Sequence, residues 1–394
     1  MFWGLVADHL AREWLLVFFR LAPMRVAIVH DYLTQFGGAE RVLLTLMELF
    51  PHAPVFTLVH DEERMPTFKG ERRLRTSFLQ NLPGARRHHR YFPLLMPLAV
   101  EQFDFNEYDV VLSATHSFTK GVITGPHTLH LSYCFTPTRY VWDDCHRYVR
   151  EFSSSALFQR FAPLGLSYIR LWDYFASQRV DTYLTLSAYV AQRIRKYYRR
   201  EALVIPPPVD TKLFTVSHKD DGYFLIVSRL VPYKRIDLAI DACEQLGVPL
   251  LIAGTGPEYE VLKRRAGRWT TFVGFVADHD LPRLYQGAKA LLFPQEEDFG
   301  ITPLEAAASG KPTVAYGVGG ARETIRPGDT GIFFPEQRVP SLIGAIRNFA
   351  EISWEPERIR VHAESYDRSL FLRRIAETVH NQWMSYKSHY TTRV

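Results

Sequence analysis

Two carboxylates, Glu297 and Glu305, close the stretch Glu297-Asp-Phe-Gly-Ile-Thr-Pro-Leu-Glu305, and two cations, Arg229 and Lys234, follow the apolar run Tyr223-Phe-Leu-Ile-Val-Ser228. Carboxylates accept hydrogen bonds from sugar hydroxyls. A guanidinium forks onto phosphate oxygens and an ammonium adds a point charge, so Arg229 and Lys234 suit a leaving pyrophosphate. Acids and cations in this combination read as a grip for a sugar nucleotide.

The elements that must hold these residues are legible beside them. Ala290-Leu-Leu-Phe293 reads as a strand stopped by Pro294, and Gly300, Thr302 and Pro303 open a helix that runs through Leu304 to Ala308 and ends at Gly310. Glu297 then lies on a loop and Glu305 in the first turns of the helix. The backbone N–H groups of Phe299, Gly300, Ile301 and Thr302, with the positive end of the helix dipole, point where a diphosphate would lie. Tyr223 to Ser228 is a second strand, followed by a helix from Ile236 to Leu246, which puts Arg229 and Lys234 at a strand's carboxyl end. Glu296 and Asp298 crowd the loop with further acids, and spacing to Glu305 selects Glu297. Paired acids also suggest glycosidase-like acid and base work, but the accompanying cations argue against it.

In this order and spacing the two elements resemble the retaining glycosyltransferases of family 4, from about Met24 to the C-terminus and most strongly over residues 222 to 325. The resemblance implies the α/β GT-B fold: two Rossmann-like, doubly wound parallel-sheet domains facing across a cleft. It also implies retaining transfer without a protein nucleophile. Glu305 then binds ribose hydroxyls, Glu297 orients sugar hydroxyls, and Arg229 with Lys234 stabilises the departing nucleoside diphosphate. A donor phosphate oxygen takes the proton of the attacking hydroxyl.

Length and composition agree with two domains, since 394 residues exceed one core and 47% of them are hydrophobic. Apolar strands alternate with helical stretches twice, as parallel sheets covered on both faces require. Met24 to Val29, a glycine loop and a helix from Glu40 to Phe50 are matched by Tyr223 to Ser228, a loop and the helix from Ile236. Further strands are expected at Leu250–Ala253, Thr271–Val273 and Thr313–Ala315. Ile205-Pro-Pro-Pro-Val-Asp210 excludes helix and marks a linker. The expected divisions are 1–23, an extension; 24–205, an acceptor-side Rossmann-like domain; 206–369, the nucleotide-sugar domain; and 370–394, a helix with Trp383 that in the family crosses back onto the first domain.

Residues 1–23 precede what already reads as an opening strand at Met24. They are either a misassigned start or an interfacial helix, because the apolar run from Leu15 to Phe19 falls far short of the ~20 residues a span needs. Cys134, Cys145 and Cys243 have no metal-ligand or redox spacing, read as core thiols and favour a reducing cytosol. The net charge of +5 gathers in basic runs such as Arg86-Arg-His-His-Arg90. These fit anionic ligands or lipid, and match no nucleic-acid module. The stretch from Arg86 to Leu98 mixes them with apolar residues, as a membrane-facing segment or a solvated run beside core would.

Several further positions admit two readings. Gly254 either brings backbone to the donor or makes a tight turn, and Gly274-Phe275 either contacts the base or supplies a core ring. Gly37 and Gly38 sit where Rossmann units meet a phosphate, or merely shape a helix start. His116 follows the strand Asp109–Leu112 and is expected to reach the cleft, touch the donor sugar and support the transition state. Lys120 either adds charge there or is a solvated turn residue. The aromatic segment around Tyr133, Thr136, Arg139, Tyr140 and Trp142 reads as an acceptor wall, or as strand-end packing with Arg139 paired to Asp143 or Asp144.

No Asp-x-Asp motif lies at a suitable strand end, so neither a metal nor another cofactor is implied beyond the donor substrate. Similarity of segments 113–142 to mannosyltransferases of surface-polysaccharide clusters suggests GDP-mannose, with a UDP-hexose as the alternative. The acceptor is expected to be a glycan or polyprenyl-diphosphate-linked glycan, met in the cytoplasm or at the inner face of the plasma membrane. A GT-B epimerase would need a separate acid/base pair, and a catalytically silent binder would have lost one of Arg229, Lys234, Glu297 or Glu305; all four are present.

Overall fold

The computed structural model describes residues 24–143, 145–146, 149 and 156–391; the expected N-terminal extension and Asp144 lie outside the described residues. The first sheet contains β1 (Val26–Leu33), β2 (Val55–His60), β3 (Leu74–Thr76), β4 (Val110–Thr115), β5 (Leu129–Cys134), β6 (Thr182–Thr185) and β7 (Ala202–Val204). Their spatial order is β3-β2-β1-β4-β5-β6-β7, with every neighbouring pair parallel. β2, β4 and β5 are buried along their whole length, including the polar Thr57, His60, Ser113, Thr115, His130 and Ser132.

The second sheet contains β8 (Tyr223–Val227), β9 (Leu250–Ala253), β10 (Thr270–Gly274), β11 (Ala288–Phe293), β12 (Thr313–Tyr316) and β13 (Gly331–Phe334), ordered β10-β9-β8-β11-β12-β13 and again all parallel. The helix Ile236–Leu246 buries Ile236, Ala239, Ile240 and Cys243 at helical spacing and ends at Gly247 in the left-handed region. That face packs with Ile226, Leu250, Ile252 and Leu292 of the strands and with Leu342 and Ile346 of the helix Val339–Ala350.

Two compact units result. One contains the described residues through Leu186, Val190–Pro206 and the chain from Phe371 onward; the other contains Ser187–Tyr189 and Pro207–Leu370. The main division falls within the proline run. In the first unit the final helix, Arg368–Thr391, contributes Phe371, whose ring meets Tyr133 edge-on at 5.8 Å, and Gln382, which accepts from Thr182 Oγ1 at 2.9 Å. No described helix is long and apolar enough to cross a membrane. Cys134 and Cys243 are buried, but Cys145 is only half-buried, so that thiol is not the core residue the composition suggested.

His130 on β5 is fully buried, with Nε2 2.9 Å from Ser113 Oγ, and burial alone pushes its pKa down to about 3. A group held neutral in this way favours the fold above its unfolded pKa near ~6.5, and that contribution is lost as pH falls towards the folded value. The stability advantage of the wild type over His130→Asn should therefore shrink by about 1.4 kcal/mol per pH unit from pH ~6.5 down to pH ~3. Urea melts across that range measure it; a gap independent of pH would show that His130 is not held neutral.

Candidate functional site

In the second unit the chain runs outward in opposite directions from the adjacent pair β8 and β11, which makes their carboxyl ends the switch point where open parallel sheets bind ligands. The residues that sequence reasoning assigned to this unit all lie at strand carboxyl ends. Arg229 and Lys234 follow β8, Gly254 follows β9, Gly274 and Phe275 close β10, and Glu297 to Glu305 follow β11. A short turn, Pro232–Lys234, ends at Arg235 in the left-handed region (φ 50°), which starts the helix from Ile236 and is held by its ion pair to Asp237. Lys234 Nζ forms an ion pair with Glu297 Oε1 and lies 5.1 Å from the Tyr233 ring centroid; Tyr233 OH also accepts from Arg229 Nη2 at 3.4 Å. The switch point thus joins a cation from one strand end to an acid from the other.

The helix Ile301–Ala308 starts at Gly300, whose φ of 101° only glycine adopts without strain, and no side chain caps its first turn. Its N–H groups at Ile301 and Thr302 and its dipole favour an anion there. Glu296 Oε1 accepts from Tyr189 OH at 2.5 Å, which leaves Glu297 as the acid joined to Lys234. Phe299 is buried against Tyr366, so any ligand contact it makes comes from backbone. Glu305, further along the helix, is 5% exposed, and its Oε2 accepts from the fully buried Tyr285 OH at 2.7 Å.

Phe275 is 79% exposed, which removes the core alternative for its ring. For Gly254 the structure supplies a packing reason. A Cβ there would strike the Ser228 carbonyl, and the loops after β8 and β9 are laced together by Leu230 N to Thr255 O at 2.9 Å. Sequence reasoning missed Gly319 and Gly320. Glu297 bridges to Gly319, Gly320 N donates to Glu297 O at 2.8 Å, and a Cβ on Gly320 would strike the backbone of Phe299. The signal was present as a glycine doublet four residues after the Thr313 strand.

The first unit has the same kind of switch point between β1 and β4. His116 leaves β4 there and is fixed by a residue the sequence reading passed over, Asp31 at the end of β1. The fully buried Asp31 carboxylate accepts from the backbone N–H groups of His116, Ser117, Phe118 and Thr119 at 2.7 to 2.9 Å, and from the hydroxyls of Thr115 and Thr119. Burial opposes its ionisation, but the neighbouring histidines and these donors win and hold its pKa down at about 2. Above the usual carboxylate range that charge stabilises the fold, and the benefit is lost as pH falls through about 2.

His116 Nδ1 lies 3.3 Å from Asp31 Oδ2, and the ring is about a third exposed. Burial lowers its pKa, with Asp31 opposing and His30 adding to the fall, so the ring is neutral at pH ~7. Behind it, burial pushes the His30 pKa down but the Glu40 carboxylate, 3.4 Å away, outweighs this and raises it. Tyr32 stacks on His89 at 4.5 Å and meets His116 edge-on at 5.8 Å. His89, read from sequence as part of a basic run, is therefore a member of this cluster, and burial pushes its pKa down to about 4. Gly37 is extended (φ −161°), a conformation open to any residue, so the turn itself does not demand glycine; Gly38 begins the helix Gly38–Leu49.

The aromatic segment is corrected in part. Tyr133 is fully buried and donates to Ile205 O at 2.7 Å, so it is a core residue and no part of an acceptor wall. Thr136 Oγ1 accepts from Arg193 at 2.7 Å. Trp142 stacks on Tyr197 at 5.0 Å and donates to Asp173 at 2.8 Å, and Tyr140 OH lies 3.2 Å from Ser117 Oγ. Asp143 pairs with Arg193 and Tyr197, partners the sequence did not suggest. Arg139 and Tyr140 are half-buried. Lys120 is neither a solvated turn residue nor a free charge, being 1% exposed and paired with Asp173 at 2.5 Å.

Two parallel Rossmann-like sheets with charged switch points define an α/β protein of the GT-B class. Comparison with known families makes this particular. Residues 36–213 match the model for Glycosyltransferase Family 4 and residues 211–366 the model for Glycosyl transferases group 1, and the chain belongs to this glycosyltransferase family. Among similar proteins, D-rhamnosyltransferase WbpZ of Pseudomonas aeruginosa is 32% identical over 38% of this chain and 41% of its own length. A GDP-mannose-dependent phosphatidylinositol monomannoside mannosyltransferase of Mycobacterium tuberculosis is 28% identical over 42% and 51%, and a glycogen synthase of the same species is 36% identical over 32% and 33%. The matches thus span at most about half of these relatives. Anabaena Alr3699/HepE in complex with UDP shares the fold at a TM-score of 0.68 and 18% identity, over 90% of this chain and 99% of that one. Sucrose-phosphate synthase of Thermosynechococcus elongatus does so at 0.61 and 18%, over 93% and 98%.

Replacing Asp31 with Asn puts an amide donor among backbone donors and removes the charge they solvate. Stability should fall by about 3 kcal/mol, and amide exchange at residues 116–119 should accelerate. Unchanged protection of those four N–H groups would show that Asp31 does not fix the His116 loop.

Proposed function

We propose that this chain is a retaining hexosyltransferase that moves a sugar, mannose by first choice, from a nucleoside-diphosphate sugar to a hydroxyl of a glycan or polyprenyl-diphosphate-linked glycan in polysaccharide synthesis. The observation that carries the donor half is the Lys234–Glu297 pair at the β8/β11 switch point, set beside Arg229 and the uncapped helix that bears Glu305. A diphosphate there meets two cations and the N–H groups of Ile301 and Thr302. Ribose hydroxyls donate to Glu305, and sugar hydroxyls are oriented by Glu297.

In the transfer step the bond from the anomeric carbon to the β-phosphate oxygen breaks, and the acceptor oxygen bonds to the anomeric carbon on the same face. The acceptor proton passes to a phosphate oxygen of the leaving nucleoside diphosphate. Arg229 and Lys234 stabilise the charge that develops on the diphosphate, and no protein nucleophile is used. In the first unit His116, its pKa lowered by burial, is assigned to sugar contact, and Gly37 and Gly38 to backbone contact with the donor. Thr136, Arg139, Tyr140 and Trp142 are retained for the acceptor. Gly254, Gly274 and Phe275 are assigned to the base end of the donor. The proposed location is the cytoplasm, with peripheral contact at the inner face of the plasma membrane.

GDP-mannose as donor draws support from similarity to the GDP-mannose-dependent relative, and a UDP-hexose from similarity to HepE, whose structure contains UDP. A thermal-shift panel with GDP, UDP, ADP, GDP-mannose and UDP-glucose decides, because a ligand stabilises the state it binds. One nucleotide should raise the melting temperature selectively, and Glu305→Ala should weaken its binding roughly tenfold or more. No shift with any of them, in wild type as in variant, would overturn the donor reading.

Lys234→Ala should lower kcat by roughly a hundredfold to a thousandfold, with a smaller change in KM, the signature of a group that acts on charge developing in the transition state. Glu297→Ala should also act mainly on turnover. Transfer assays with radiolabelled donor and membrane extract measure both; full activity in the Lys234 variant would remove its assigned role.

A further inference from the structure

The helix Ala156–Ser177 is apolar on two opposite sides. Leu166, Ile169 and Ala176 face the first unit's core and are buried. On the other side Phe161, Leu164, Tyr168, Leu171 and Phe175 are each between 53% and 69% exposed. Their spacing of three and four residues confines them to one narrow stripe, about 21 Å long at 1.5 Å per residue. A soluble helix normally turns polar residues outward, so a second apolar face marks a surface that meets something other than water. The stripe does not stand alone. Leu94 Cδ2 lies beside Gly165, 3.7 Å from where a Cβ on that glycine would sit, and Tyr91, Leu94 and Leu98 are exposed by 53% to 69%.

The charge around this surface is predominantly positive. Arg86, Arg87, His88, Arg90 and Arg160 are exposed, whereas the acids of the same two segments are withdrawn. Asp173 is buried against Lys120, and Glu101 is engaged by Arg179 at 2.6 Å and Trp172 Nε1 at 2.8 Å. Among the described basic residues of the rim, Arg87 pairs with an acid, Glu63 at 2.7 Å.

We infer that the outer stripe of the helix Ala156–Ser177, with Tyr91, Leu94 and Leu98, is a docking surface for an anionic lipid bilayer. Apolar side chains enter the boundary between headgroups and acyl chains, and the arginines beside them meet the headgroup phosphates. The combination separates this occupant from a second copy of the chain, which would bring two predominantly positive rims together, with Glu63 already engaged by Arg87. The inference rests on the membrane contact proposed above and on none of the donor chemistry.

Co-sedimentation of the full chain with phosphatidylcholine vesicles, with and without phosphatidylglycerol, tests it. Binding should require phosphatidylglycerol, weaken in high salt, and be abolished in Leu164→Glu/Leu171→Glu. These are exposed positions, and an unchanged melting temperature will show that the fold is kept. Arg86→Ser/Arg90→Ser should weaken it by roughly fivefold per arginine while leaving the apolar stripe intact. Nucleotide binding measured in parallel should be unaltered in both variants, so failure of the lipid surface is distinguishable from failure of the donor site. Vesicle binding that survives Leu164→Glu/Leu171→Glu would place the lipid contact elsewhere, and dimerisation abolished by that variant without any vesicle binding would assign the stripe to a second copy; either overturns the inference.

Discussion

Both units depend on one constraint: each parallel sheet begins in its middle. β1 and β8 are the first strands laid down in their sheets and end up interior, with the chain moving outward on one side and then returning to build the other. Right-handed crossovers then place helices on both faces, and the only place where neighbouring connections diverge is beside that first strand. Backbone N–H groups and side chains at two strand ends are thereby exposed together without any loop having to reach. The first unit uses the position for Asp31 and His116, the second for Lys234 and Glu297.

The two switch points solve the electrostatic problem differently. Asp31 is a fully buried anion, and such a charge is sustained only if donors replace the water it lost. Four successive backbone N–H groups and two hydroxyls do so, which fixes the His116 loop as a by-product. Lys234 and Glu297 are partly exposed and satisfy each other. Their pairing holds both side chains at the strand ends, and in the proposed donor site it is exchangeable: a diphosphate would compete for the ammonium, and a sugar hydroxyl for the carboxylate. The first arrangement is a scaffold, whereas the second, in the proposed reading, is the donor site before a ligand enters it.

Much of this was legible in sequence, and the reasons are local. An apolar run ended by glycine marked Leu250–Ala253 to the residue, and the helix Ile236–Leu246 was legible with the same bounds. The acid and cation pairs stood out because their residue types are costly to place at strand ends without a use. What escaped depended on contacts between distant segments. β13 is only four residues long and starts with a glycine, which dilutes the strand signal. Asp31 differs in no local way from a loop aspartate, and its meaning comes from N–H groups 85 to 88 positions away. Tyr133 looked like a ligand-facing aromatic because a buried tyrosine must still satisfy its hydroxyl, here with Ile205 O, and sequence cannot show which end of the ring is wet.

The same limitation explains why the long helix Ala156–Ser177 had to be seen to be read. Its apolar residues are numerous enough on both sides that periodicity alone describes a helix buried all round. Only exposure separates Leu166 and Ile169, which close the core, from Leu164 and Leu171, which do not. A helix that anchors a domain on one side and leaves a second apolar stripe outside spends stability on keeping that stripe in water, since each exposed leucine forgoes about 1.5–3 kcal/mol of burial. Such a stripe is a cost to the free protein that is recovered only on contact with another apolar phase, and the arginines along its rim select a negatively charged one. The charge pattern and the apolar pattern therefore have a common physical origin in the surface they meet, although the residues that carry them, Arg86 to Leu98 and Phe161 to Phe175, lie far apart in the chain.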